Sequence, residues 1–241
     1  MKSNDLIKLE ETIKNIAKDG KMCLAYSGGV DSSILLAVAR GAGIDVLPLT
    51  FDISKAREIP QVRNNAKDRC YHCKKLMMTT FRKEAKEKGY EVLCDGTNTD
   101  DRKQYRPGLK ALEEEGVRSP IAEAGLTKEQ LRTVGRELGL PVADKPSSPC
   151  LLTRFPYDTY VSEDMITAVG KAEDIVKEAG FPACRVRVFK DTSKIEVPLA
   201  QISDMEKEFD LKNKVLEILK TIGVSEVIVD EKGLRSGTMD E

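Results

Sequence analysis

The chain has 241 residues, with 39 lysines and arginines against 40 aspartates and glutamates and a formal charge of −1. That length supports one large domain or two small ones around a real core, and 40% apolar with 33% charged residues excludes wholesale disorder. The even charge argues against a nucleic-acid partner, and no apolar run is long enough to span a bilayer, so no membrane partner is expected. Residues 1–21 are charged and amphipathic without the apolar stretch of a secretory signal, which predicts a cytoplasmic location. Six cysteines are too few for a disulfide scaffold of this size, and a single histidine, His72, excludes a His-rich metal site.

Leu6, Leu9, Ile13 and Ile16 recur at helical spacing and predict a helix over 5–19. KMCLAYS (21–27) reads as a short buried strand, SGGVDSS (27–33) as a turn, and SILLAVARGAG as an apolar helix. A second strand, DVLPLTF (45–51), completes a β–α–β pattern and implies a parallel sheet. Residues 52–69 show no strand pattern. A helix from about 73 to 88 leads into a strand, YEVLCDG (90–96), a helix containing Leu109 and Leu112, and a short strand, VRSPI (117–121). LTKEQLRTVGRELGL (126–140) predicts a helix capped by Thr127 and closed by Gly139 and Pro141. The Pro- and Ser-rich stretch 141–156 is the expected boundary between domains 1–148 and 149–241. Beyond it come a helix (163–179), strands at 184–189 and 193–198, one or two helices over 201–222 and a strand at 225–230. The expected fold class is α/β with a parallel sheet, followed by a small α+β domain.

SGGVDSS sits where a strand feeds a helix, and backbone N–H groups with the helix dipole favour a phosphate there. Gly28 and Gly29 let the backbone approach phosphate oxygens, and Ser27, Ser32 and Ser33 add hydroxyl donors. Asp31 suits such a cradle only through a divalent cation such as Mg²⁺. The plain alternative is a Gly-rich turn with a serine cap. The string lacks the GK[ST] of a Walker A loop. It is similar to the SGGxDS loop of the PP-loop ATP pyrophosphatases. That resemblance implies a Rossmann-like, adenine nucleotide α-hydrolase-like domain that splits ATP between its α- and β-phosphates, adenylylates a substrate and releases pyrophosphate.

RCYHCK (69–74) holds a C-x-x-C pair, Cys70 and Cys73, compatible with zinc, an iron–sulfur cluster or redox chemistry. Cys150 lies in the polar loop KPSSPCLLTR, whereas Cys23, Cys94 and Cys184 fall in or beside apolar strands and read as small buried hydrophobes. RCYHCK, DGTNTDD (95–101), YRPG (105–108), LTKEQLR, DKPSSPCLLTR, AED (172–174), RVR (185–187) and the terminal GLRSGTMDE together resemble the LarE-type sulfur transferases of nickel-pincer nucleotide synthesis. The resemblance implies a small-molecule substrate, a pyridinium mononucleotide with two carboxylates, one of which is adenylylated before sulfur displaces AMP. It gives Cys150 one of two roles. Either it is sacrificed as the sulfur source, or with Cys70 and Cys73 it ligates a [4Fe–4S] cluster that handles sulfide from a donor. With all three cysteines present, the resemblance points to the cluster.

Other polar groups fill out the expected site. Thr97, Asn98 and Asp101, in a turn after a strand, are candidates for ATP or Mg²⁺, with an Asx-rich turn as the alternative. Lys128 and Lys145 are candidates to neutralise departing pyrophosphate. Arg185 and Arg187, two apart on a strand, share a face and suit a substrate phosphate. Arg154 is placed to hold a carboxylate or phosphate near Cys150, and Glu173 and Asp204 are acidic candidates. Rival functions are tRNA thiolation and an ATP- or iron-sensing binding protein. A homo-oligomer is compatible with the chain. About twenty residues separate the second strand from RCYHCK, too few for the usual further helix and strand, so a sheet one strand short is expected.

Overall fold

Five consecutive residues, Lys21–Ala25, carry almost no polar side chain and form the central strand (β1) of a three-stranded parallel sheet. The computed structural model describes residues 2–103 and 106–235. The chain divides into two compact units, Met1–Val62 with Asp68–Lys145, and Arg63–Lys67 with Pro146–Glu241.

In the first unit, helix α1 (Asn4–Ile16) precedes β1, which is followed by α2 (Val30–Gly41) and β2 (Asp45–Leu49). A 3₁₀ turn (Ile53–Glu58) and the short α3 (Pro60–Arg63) lead to α4 (Arg69–Glu87) and β3 (Leu93–Cys94). The unit ends with α5 (Thr99–Arg102), α6 (Gly108–Glu114), α7 (Pro120–Glu123), α8 (Lys128–Glu137) and a 3₁₀ turn, Pro141–Asp144. The strand order is β2-β1-β3, with Cys23 opposite both Leu47 and Leu93. Side chains alternate across β1: Met22 and Leu24 join α1, α2 and α8 in one core, while Cys23 and Ala25 join Met78, Phe81 and Leu112 of α4 and α6 in another. A strand buried on both faces reads as a continuous apolar run, as KMCLA does.

The second unit contains a 3₁₀ turn (Leu151–Arg154), α9 (Glu163–Glu178), β4 (Arg185–Phe189), β5 (Thr192–Glu196), α10 (Ile202–Lys207), α11 (Phe209–Lys220) and β6 (Glu226–Val229). β4 and β5 are antiparallel and β6 joins β5 in parallel, in the order β4-β5-β6. Val169, Val176, Val186, Val188, Ile195, Val215 and Leu219 supply buried core.

The α/β class and parallel sheet are those the sequence implies, with three local differences. VRSPI is not a strand: Arg118 makes one bridge to Cys94, and Pro120, which has no N–H to donate, opens α7 instead. The strand expected over 90–96 shrinks to Leu93–Cys94. The helix expected from about 73 begins at Arg69, so both Cys70 and Cys73 lie on α4. Its first turn is polar and escapes apolar periodicity, which starts with Met78 and Phe81.

Gly135 brings α8 close to α2. A Cβ there would lie 2.7 Å from Ile34 Cδ1 and 2.9 Å from Ala143 Cβ, both in fully buried residues. Gly135→Ala is therefore expected to destabilise the protein by about 1–3 kcal/mol through overpacking, against a helix-propensity gain of about 1 kcal/mol. A lower thermal midpoint supports this, and an unchanged or higher one refutes it.

Candidate functional site

β1 ends at Ala25 and the chain turns through Ser27, Gly28 and Gly29 into α2. Gly28 has φ +69°, which only glycine adopts without strain. Gly29 is the N-cap and makes no side-chain cap bond, so the first amides of α2 are open to a ligand. Ser32 is buried: its Oγ accepts from Ser27 N (3.3 Å), donates to Gly29 O (3.3 Å) and lies 3.2 Å from Ser27 Oγ. Ser27 Oγ accepts from Gly29 N, and Ser33 Oγ donates to Tyr26 Oη at 3.4 Å. These hydroxyls brace the loop itself.

Asp31 carries the loop's unspent charge. Burial holds its pKa above the usual carboxylate value, and Lys128, with Nζ 3.3 Å from Oδ2, only partly offsets that rise. Its Oδ1 is buried without a hydrogen-bond partner. A buried bare carboxylate oxygen in an anion-binding turn fits a cation such as Mg²⁺. Lys128 therefore already faces the loop.

The turn after β3 closes over α2. A Cβ on Gly96 would come within 3.1 Å of Ser32 N and 3.3 Å of Asp31 Cβ, so only glycine fits there without displacement. Motif reading misses Gly96, although a glycine straight after the strand-ending Asp95 is a signal of close backbone approach. Asp95, 3% exposed, accepts from Thr97 N (3.2 Å), Thr97 Oγ1 (2.6 Å) and Ser119 Oγ (2.7 Å), with Lys74 Nζ at 3.6 Å. Asn98 caps α5, its Oδ1 accepting from Asp100 N and Asp101 N, while Asp101 accepts from Asn98 N and pairs with Arg106 at 2.8 Å. Thr97, Asn98 and Asp101 thus form the Asx turn and orient one another. Lys145, exposed, follows the 3₁₀ turn Pro141–Asp144, and its carbonyl accepts from Arg132 Nη2 at 2.8 Å.

The cysteines fall into two sets. Burial pushes the thiol of Cys23 up to about 11, that of Cys184 up to about 12 and that of Cys94 higher still. These thiols stay protonated and inert. Cys70 is exposed and Cys73 half-buried, one turn apart on one face of α4, and Cys150 is exposed at the N-cap of the turn Leu151–Arg154. Cys70 and Cys73 belong to the first unit and Cys150 to the second. Among the described residues, no group of three or more His, Cys, Asp or Glu side chains gathers as a ready metal cage. The three buried thiols are closed to an incoming metal, whereas Cys70, Cys73 and Cys150 are accessible to solvent. His72 Nε2 lies 3.1 Å from Asp68 Oδ2 within the same turn.

In the second unit, Arg154 is 1% exposed, and its Nε and Nη2 bind the two oxygens of Glu173 at 2.5 and 3.2 Å. Glu173 also accepts from Val186 N at 3.0 Å. Arg187 is likewise buried, with Nε 2.7 Å from Glu196 Oε1 and Nη1 donating to Thr153 O at 2.6 Å. Arg185, its neighbour on β4, is half-buried, donates through Nη1 to Arg235 O at 2.6 Å and has a buried Nε with no hydrogen-bond partner. Burial, then the charges of Arg154 and Arg187, lower its pKa. Only Arg185 of the three combines partial exposure with an unspent donor. Asp204 is exposed on α10 and pairs with Lys207 at 3.2 Å. Tyr105 of YRPG and residues 236–241 of the terminal motif lie outside the described residues.

No protein-family model matches the chain. It is 32% identical to pyridinium-3,5-bisthiocarboxylic acid mononucleotide synthase of Lactiplantibacillus plantarum, over 92% of this chain and 89% of that protein. It is also 32% identical to an uncharacterized protein of Synechocystis, over 97% of each. A subunit of the glutamine-hydrolyzing GMP synthase of Methanoculleus marisnigri is 28% identical over 74% of this chain and 69% of its own length. No helix among the described residues is long and apolar enough to cross a membrane.

Removing one partner of the Arg154–Glu173 pair leaves a buried charge uncompensated. Glu173→Ala is expected to destabilise the protein by about 3–5 kcal/mol, while exposed Asp204→Ala changes it by less than about 0.5 kcal/mol. Thermal melts of the two variants check this, and equal midpoints would overturn it.

Proposed function

The chain belongs to the LarE-type sulfur transferases of the PP-loop superfamily, and on that basis we propose that it uses ATP to convert a substrate carboxylate into a thiocarboxylate. The observation that carries the reading is the open N-terminus of α2 with the partnerless Oδ1 of Asp31 beside Lys128. In the proposed reaction a carboxylate oxygen attacks the α-phosphorus of ATP and pyrophosphate leaves. Sulfide then attacks the acyl carbon, and AMP departs with the carboxylate oxygen. The α2 amides bind phosphate, Asp31 holds Mg²⁺, and Lys128 with Lys145 neutralises the departing pyrophosphate. Thr97, Asn98 and Asp101 shape the neighbouring turn.

The substrate is a pyridinium dicarboxylate mononucleotide, by analogy with the named relative, whose product carries two thiocarboxylates. Arg185 contacts its phosphate through the unspent donor, and Arg187, Arg154 and Glu173 hold Arg185's surroundings in place. Cys70, Cys73 and Cys150 would hold a [4Fe–4S] cluster, which when bound leaves one iron open for an additional sulfide. The exposure of Cys150 also suits a second reading, in which it gives up its own sulfur.

The test is anaerobic incubation with ATP, sulfide and the pyridinium dicarboxylate nucleotide, followed by mass spectrometry. AMP, pyrophosphate and an oxygen-to-sulfur exchange in the nucleotide are expected. Release of ADP refutes the adenylylation, thiolation of bulk tRNA instead of the nucleotide identifies a tRNA enzyme, and ATP binding without turnover identifies a sensor. Asp31→Asn is expected to lower turnover about a hundredfold or more. Cys70→Ala, Cys73→Ala and Cys150→Ala should each abolish iron–sulfur absorbance and sulfur transfer while ATP binding persists. Dehydroalanine at position 150 in colourless, active protein would replace the cluster with the sacrificial route.

A further inference from the structure

Two arginines on α8 hold the segment that ends in Lys145, all within the first unit. Arg132, half-buried, donates through Nη1 to Ala143 O and through Nη2 to Lys145 O at 2.8 Å. Arg136, one turn further on, puts Nε 2.9 Å from Asp144 Oδ1, but both side chains are exposed and such a pair contributes little. Ala143 is fully buried, and the 3₁₀ turn Pro141–Asp144 packs against both α2 and α8. The same face of α8 meets the phosphate loop: Lys128 precedes Arg132 by four residues, and its Nζ lies 3.3 Å from Asp31 Oδ2. The charge of Arg132 also reaches Asp31, where it joins that of Lys128 in opposing the rise in pKa that burial causes. One turn of helix thus links the loop to the backbone of Ala143–Lys145. Lys145 itself is exposed, and residues 146–150 after it have no regular structure.

We propose that Arg132 is a positioning residue that holds the backbone of Lys145, so that the lysine's ammonium meets the pyrophosphate leaving the α2 loop. The proposal rests on the reading of that loop and Lys145 as an ATP-splitting site. The Lys145 N–H donates within its own turn, to Val142 O at 3.1 Å, so the hydrogen bond that ties this residue to α8 is the one from Arg132. The two carbonyls lie two residues apart, and a guanidinium, with several donors in one rigid plane, holds both at once. Lysine at position 132 would keep the charge near Asp31 but offers a single nitrogen, so Arg132→Lys removes the clamp and spares the field. A cation stabilises a leaving group only from a preset place, and a misplacement of about 1 Å costs about a hundredfold in rate.

The test uses the full chain with ATP, Mg²⁺ and the pyridinium dicarboxylate mononucleotide, sulfide omitted, and follows pyrophosphate release in a single turnover. Arg132→Lys is expected to lower the rate constant about tenfold or more, while the ATP concentration for half-maximal rate changes less than about twofold. Lys145→Met should lower the rate constant by a similar factor. In the double variant the two losses should not multiply: the rate stays within about twofold of Lys145→Met alone, because an absent ammonium needs no positioning. If Arg132→Lys does not fold, Arg132→Gln takes its place, with the same pattern expected. Losses that multiply, or an unchanged rate in folded Arg132→Lys, overturn the role of Arg132 and leave the ATP-splitting reading intact. An undiminished rate in Lys145→Met removes that lysine from the site, and no pyrophosphate from the unaltered protein overturns the ATP-splitting reading. Either result overturns the proposal as well.

Discussion

The burial of β1 on both faces constrains everything chemical in the first unit. Its middle residues, Met22 to Leu24, have no solvent side, so Met22 and Leu24 are covered by α1, α2 and α8, and Cys23, with the partly buried Ala25, by α4 and α6. A parallel strand covered in this way needs helical crossovers, and every crossover starts at the carboxyl ends of the strands. The turn Ser27–Gly29 after β1 and the turn Asp95–Asn98 after β3 therefore emerge side by side. Gly96 shows how closely: its missing side chain leaves room for the backbone of Asp31 and Ser32. Asp31 is desolvated because two turns and α8 crowd around it, and that same crowding leaves one of its oxygens without a partner.

The second unit solves a different problem. It buries two guanidiniums beside a three-stranded sheet, which is costly unless each meets a carboxylate in good geometry. Arg154 meets Glu173 through two hydrogen bonds, and Arg187 meets Glu196 through one while donating to Thr153 O. Arg185 is not ion-paired in this way, and burial, then the two like charges beside it, lower its pKa. An anion arriving there would relieve that repulsion. The buried pairs fix the neighbouring side chains, and Arg185 is left as the partly exposed guanidinium among them.

Much of this is legible in the sequence. Alternation and Gly–Ser punctuation locate β1, the loop and α2, because those signals are local. Thr127 marks the start of α8, where the structure adds a capping box with Gln130. What fails depends on long-range or polar partners. The sequence does not show that Pro120 starts a helix where VRSPI looks strand-like, nor that α4 begins four residues before its expected start. Two arginines at i and i+2 do share one side of β4, yet spacing cannot reveal that Arg187 is already committed to Glu196. Gly96 is legible in principle, as a glycine following a strand-ending aspartate. The buried Asn65 is not, since its side-chain amide donates to Phe155 O and Pro156 O, 90 and 91 residues away.

The short interval between β2 and Cys70 ties these observations together. This chain fills the interval with a 3₁₀ turn and one turn of helix, and then spends residues 63–67 in the second unit before α4 begins. Loop closure of that kind costs entropy that grows only slowly with length, so a brief excursion is tolerable if a few buried hydrogen bonds hold it. The amide of Asn65 supplies them. The short interval and the buried asparagine thus go together: residues too few for a further helix and strand pack through one amide that donates to Phe155 O and Pro156 O.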